Sequence, residues 1–157
     1  MKFTLFTIGK TDIPYIKQGI DGYLQRIVHF VDFSIIELPQ IRHTKSLSPE
    51  LLCKKEGESL ANALRNCNLI ILLDENGKEH TSRSFSEYLN KIMNKHLHHV
   101  AFVTGGAYGF SDSVYKMAHD KLSLSRMTFT HQMVRLIFME QFYRAFTVIR
   151  GIPYHND

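Results

Sequence analysis

Two stretches of the chain carry residue types whose spacing suits chemistry. Gly105-Gly106-Ala107-Tyr108-Gly109 directly follows the apolar run VAFVT at 100–104, where a strand should hand over to a helix. Open α/β sheets bind ligands at such strand ends, and glycines there admit positive φ and close approach of a ligand to backbone N–H groups. The second stretch is Arg150-Gly151-Ile152-Pro153-Tyr154-His155, a stiff, basic and aromatic tail rather than a polar fringe. Arginine can hold a phosphate, and tyrosine or histidine can stack on an exposed base. Just upstream, Glu140 and Arg144 have the i,i+4 spacing of an ion pair on a helix.

Three more familiar chemistries are excluded by spacing. Ile8-Gly9-Lys10-Thr11 imitates the end of a phosphate-binding loop, but Thr4 stands where the first glycine must be. The glycine cluster reads G-G-x-x-G after the fourth strand, which is neither the pattern nor the place of a dinucleotide fingerprint. His96, His98 and His99 crowd together, yet no cysteine or carboxylate joins them at metal spacing, so no metal is expected.

The elements that must position these residues follow from hydrophobic periodicity. Short β-rich runs at 3–8, 33–38, 69–74 and 100–104 predict core strands. Helical spacing predicts helices over 13–28, 50–64 and 84–95, with Ser48-Pro49 as a start signal. A short helix near 111–119, a final strand at 121–124 and a long helix from about 131 to 149 complete the order. Asn76-Gly77 predicts a tight turn before a loop, and the polar, basic segment 39–48 reads as a surface loop. Strands alternating with helices imply an α/β fold with a largely parallel sheet flanked by helices, formed as one domain over 1–157.

In the last helix, 12 of the 17 residues from Met133 to Ile149 are hydrophobic and they go all around it. Such a helix needs cover on more than one side, which points to a homodimer. The longest uninterrupted apolar run, Leu69 to Leu73, is far short of the roughly 20 residues that span a bilayer. Cys53 and Cys67 lack C-x-x-C spacing and no leader pattern opens the chain, so a cytoplasmic location is expected. A formal charge of +4 favours a polyanionic partner only modestly.

Five landmarks in order carry a resemblance over the whole length: Ile8-Gly9-Lys10, Lys55-Glu56-Gly57-Glu58, Leu73-Asp74-x-x-Gly77-Lys78, Gly105-Gly106-x-x-Gly109, and the block from Leu122 to His155. With these the chain resembles the bacterial 23S rRNA pseudouridine N3-methyltransferases of the RlmH type, minimal members of the SPOUT (trefoil-knot) methyltransferases. The resemblance implies a deep C-terminal trefoil knot, an exception to the rule against threading. It also implies S-adenosylmethionine as methyl donor, clasped by Leu73, Gly105, Leu124, Ser125, Arg126, Met127, Thr128 and Phe129, with Arg126 touching it through backbone rather than guanidinium. The substrate it implies is large-subunit ribosomal RNA, presented by the assembled ribosome.

N3 of a pseudouridine carries a proton, so methyl transfer needs a general base or stabilisation of the developing anion. His131, Arg144, Tyr154 and His155 have suitable chemistry, and position favours Arg144, Tyr154 and His155 as the catalytic group, brought by one subunit of a dimer to the other's cofactor site. Two alternatives stay open on sequence: a knotted methyltransferase acting on tRNA or another base, and a non-catalytic knotted RNA-binding factor.

Overall fold

The computed structural model describes residues 1–41 and 47–154. The chain alternates strand and helix: β1 (Lys2–Ile8), α1 (Pro14–Ile27), β2 (Asp32–Leu38), α2 (Pro49–Leu64), β3 (Leu69–Glu79), α3 (Ser82–Met93), β4 (His99–Thr104), α4 (Asp112–Met117), β5 (Asp120–Ser123) and α5 (Met133–Ile149). All strand pairings are parallel, in the order β2-β1-β4-β3-β5. Parallel sheets are stable when both faces are covered, and here the strand alternation assigns the two faces. Phe3, Leu5, Ile71, Val100 and Phe102 face the layer of α1, α3 and α5. Phe6, Ile8, Ile70, Leu72, Ala101 and Val103 face Leu60 and Leu64 of α2 and Val114 of α4.

Local signals account for the helix starts. Pro14 opens α1, the Ser48 hydroxyl accepts from Leu51 N–H ahead of Pro49, and the Thr81 hydroxyl accepts from Ser84 N–H. The predicted start of the last helix moves from His131 to Met133. Thr130 Oγ1 accepts from Met133 N–H at 3.2 Å, while Gln132 turns inward, its side chain donating to Asp12 Oδ1 at 2.6 Å and accepting from the backbone N–H groups of Asp12 and Ile13.

One predicted feature is corrected. Asn76-Gly77 is not a tight turn leading into a loop but lies within β3. Leu73 and Lys78 both pair with Leu122 of β5, so Asp74 to Gly77 form an excursion from the strand, which then resumes. The excursion lies at the carboxyl edge of the sheet, where the glycine turn also emerges.

Helix α5 is covered on one side by the sheet, α1 and α3, where Phe138, Met139, Phe142, Ala145 and Phe146 are buried. On another side Val134, Ile137, Gln141, Arg144 and Val148 recur every three or four residues and are only half-buried. The protomer therefore covers most of this helix but not all of it. No helix among the described residues is long and apolar enough to cross a membrane.

Candidate functional site

At the carboxyl ends of β3 and β4 a cleft of about 640 Å³ opens. Three segments build it: the end of β3 with its excursion, the glycine turn, and the loop between β5 and α5. The glycine turn is closed by Gly109 N–H donating to Gly106 C=O at 3.1 Å, and Gly109 sits at φ 78°, a conformation that L side chains resist. Gly105 packs directly on it, since a Cβ there would lie 3.1 Å from the Gly109 backbone. The wall is thus bare backbone, able to offer N–H and C=O groups to a ligand.

The β5–α5 loop is shaped by serines. Ser123 Oγ donates to Ser125 C=O at 3.1 Å, and Ser125 Oγ accepts from Met127 N–H at 2.9 Å. Thr128 Oγ1 reaches Glu75 Oε2 at 3.4 Å, linking the loop to the β3 excursion across the cleft. Met127 is 77% exposed, an apolar side chain at the cleft with little cover of its own.

Seven of the eight residues implied as cofactor contacts line this one cleft: Leu73, Gly105, Leu124, Ser125, Met127, Thr128 and Phe129. Arg126 does not. Its Nε donates to Glu79 Oε1 at 3.0 Å in an exposed ion pair, so its guanidinium is turned outward. Asp74, Glu75, Tyr115, His131 and Val134 also line the cleft. Asp74 is held by the Tyr115 hydroxyl at 2.5 Å and by Asn76 N–H at 2.8 Å. Burial, then this bond to Asp74, pushes the Tyr115 phenol above its ordinary range, so it donates and does not act as a base near neutral pH. Neither Asp74 nor Tyr115 carries a role in the sequence alone: Asp74 falls in the strand-end stretch Leu73-Asp74-Glu75-Asn76-Gly77, which reads as a turn, and nothing singles out Tyr115.

The tail residues lie elsewhere in the protomer. Arg144 pairs with Glu140, its Nε at 2.9 Å from Oε1, as the i,i+4 spacing predicts. The Arg144 guanidinium lies 4.9 Å from the Tyr154 ring centre, and the Tyr143 ring meets Tyr154 edge-on at 5.0 Å. The Tyr154 hydroxyl donates to Glu140 Oε1 at 3.4 Å and lies 3.5 Å from the Tyr23 hydroxyl. Burial and then Tyr23 push its phenol upward, so Tyr154 is a donor rather than a base. His155 lies outside the described residues. Arg144 and Tyr154 do not line the cleft, and Arg144 sits ten residues beyond Val134 on α5, roughly 15 Å along its axis.

Comparisons with known proteins bear on family and fold. A family model described as predicted SPOUT methyltransferase matches residues 1–155. Proteins named ribosomal RNA large subunit methyltransferase H are similar over the full length: that of Parabacteroides distasonis is 48% identical, with all of both chains covered, and that of Christiangramia forsetii is 47% identical, with 99% of both covered. Among solved structures, a probable methylase family protein of Haemophilus influenzae superposes with a TM-score of 0.57 at 12% identity, covering 99% of this chain and 70% of its own. The tRNA (m1G37) methyltransferase of Aquifex aeolicus gives a TM-score of 0.54 at 11% identity, covering 99% of this chain and 74% of its own. At such identities the structures speak for the fold alone, while the family model and the full-length relatives settle membership: the chain belongs to the SPOUT methyltransferases.

Proposed function

We propose that the protein methylates N3 of a pseudouridine in 23S ribosomal RNA with S-adenosylmethionine as donor, acting on the assembled ribosome in the cytoplasm. The observation that carries this reading is the gathering of Leu73, Gly105 and the 124–129 loop around one cleft in a chain matched end to end by large-subunit rRNA methyltransferases. The cleft suits the donor: exposed backbone can read an adenine edge, while Leu73, Leu124, Met127 and Phe129 supply apolar cover. Bound there, the donor supplies an electrophilic methyl group on a positively charged sulfur. The protein's task is orientation, which is worth several kcal/mol when the attacking atom is held in line. N3 gives its electron pair to the methyl carbon, its proton passes to a base or to solvent, and the carbon–sulfur pair stays on sulfur.

Residues 1–157 act as a single domain, and two copies form a homodimer through the half-buried stripe of α5. An antiparallel crossing of α5 with its symmetry mate would carry Arg144 and the tail of one protomer to the end where the other's Val134 and His131 line the cleft. Arg144 and Tyr154 then act as hydrogen-bond donors to the base as negative charge develops on it. His155 completes the group, and with Tyr154 kept protonated it or the partner's side of the cleft must receive the proton.

Intact ribosomes should be methylated in vitro and naked 23S rRNA should not, since a small domain of modest charge grips free RNA weakly. Equal methylation of both substrates would sink the ribosome reading. Tyr154→Phe and Arg144→Ala should each slow turnover by about tenfold or more, with donor binding by calorimetry unchanged. Mixing a tail variant with a cleft variant should restore activity if sites are shared between subunits. Full turnover in both tail variants would remove the tail from the mechanism.

A further inference from the structure

The cleft is acidic in a basic protein. Asp74 and Glu75 line it, and among the described residues no lysine or arginine does, although the chain carries a formal charge of +4. A third carboxylate stands behind the wall. Glu56 of α2 is only 4% exposed, and a Cβ on Gly106 would lie 2.2 Å from its Oε2. This carboxylate therefore packs against Gly106, which lines the cleft, and glycine is what allows it to come so near. Among the described residues no cation pairs with Glu56, and burial raises its carboxyl above the ordinary range. Asp74 is held by a phenol and an amide, and Glu75 by a hydroxyl, and among the described residues neither is ion-paired with a cation.

A buried, uncompensated carboxylate favours whatever ligand brings positive charge close to it. On the reading proposed above, donor and spent donor share the same nucleoside and amino-acid groups. They differ by one methyl group and by one positive charge on sulfur. Wall contacts made by Leu73, Leu124 and the glycine turn are common to both, so they cannot tell the two apart; the carboxylates can. We propose that Glu56, Asp74 and Glu75 make the cleft select the cationic methyl donor over the thioether that transfer leaves behind, so that turnover itself weakens the grip on the product. The acids act on ligand exchange at some cost to the chemical step, because they stabilise a charge that is being lost as the methyl group departs.

Calorimetry on the full chain with three probes tests this: S-adenosylmethionine, S-adenosylhomocysteine, and an analogue carrying an amine in place of the sulfonium. Both cationic ligands should bind more tightly than the thioether. Glu56→Gln and Glu75→Gln should each cut that preference by about threefold to tenfold, the scale of one partly screened charge, while thioether affinity holds. Raising salt should shrink the contribution of exposed Glu75 more than that of buried Glu56. Should Glu56→Gln fail to fold, Glu75→Gln, a surface change, keeps the test decisive. Equal binding of all three probes to the wild type, or an unchanged preference in the variants, overturns the selection while leaving the methyltransferase reading intact. Binding of none of them overturns both.

Discussion

Replacing Arg135 with methionine is expected to destabilise the fold by about 3–5 kcal/mol, the cost of removing a buried charge that satisfies several buried acceptors. Arg135 is 1% exposed although it sits in the first turn of α5. Its Nη2 donates to Ile8 C=O at 2.6 Å, Nη1 to Gly9 C=O at 3.0 Å and to Thr11 Oγ1 at 2.9 Å, and Nε to His131 C=O at 3.1 Å. The acceptors on Ile8, Gly9 and Thr11 lie where β1 ends and the chain turns toward α1, with Gly9 at φ 77°. Among the described residues no carboxylate pairs with the guanidinium; burial lowers its pKa, and the charges of Glu37 and Asp12 offset this in part. Methionine keeps the apolar stem but leaves the carbonyls dry and unpaired. Lysine, a point charge without the fork, should recover part of the loss.

The melting temperature of Arg135→Met should fall by about 10 °C, given roughly 2–4 °C per kcal/mol for a domain of this size. Donor affinity should fall with it, because His131 and Val134 at this end of α5 line the cleft. A variant that melts within about 2 °C of wild type would show that the Gln132–Asp12 contacts alone hold α5 to the end of β1.

Arg135 also shows where sequence reasoning stops. In the sequence it is one polar residue in an apolar helix, with nothing to distinguish it from a cation awaiting RNA. Two of its partners are backbone carbonyls about 125 residues away, and backbone carbonyls leave no trace in residue types. Glu140 and Arg144 were legible because both partners lie on one helix four residues apart, whereas Tyr23 beneath Tyr154 was not, being brought there by the packing of α1 on α5.

Strand and helix existence was legible for the same local reason. Runs such as LIILL and VAFV can only be buried strands between helical patterns of this length, and Ser48-Pro49 announces its own helix. The layout of the cleft was not local. Periodicity placed Leu73, Gly105 and Leu124 at three separate strand ends, and only the family resemblance said that these ends converge. That resemblance took Arg126 with its neighbours through its backbone, and the exposed pair with Glu79 turns its side chain outward.

Gly77→Ala is the second substitution expected to act strongly, because the space for a side chain is occupied by backbone. A Cβ at residue 77 would lie 2.6 Å from Leu122 N and from Lys121 C, and 2.7 Å from Leu122 C. A flexible side chain could swing away from such a contact; a paired strand cannot. To admit the methyl group, β5 must move off β3 just where Lys78 pairs with Leu122 and Glu79 with Ser123. The expected cost is about 3 kcal/mol, at the upper end of ordinary overpacking, seen as a fall of roughly 6–12 °C in melting temperature. Donor binding should suffer along with stability. The 124–129 loop leaves directly from β5, so shifting that strand parts Leu124 and Phe129 from Leu73 across the cleft, and donor affinity should drop by about tenfold, the equivalent of 1.4 kcal/mol. Gly22→Ala supplies the control: it lies in α1 with nothing within 4 Å of a new Cβ, and should stabilise the helix by about 0.5–1 kcal/mol. If Gly77→Ala instead bound the donor as tightly as wild type, the close approach of β3 and β5 would be a packing detail and not what holds the two walls of the cleft together.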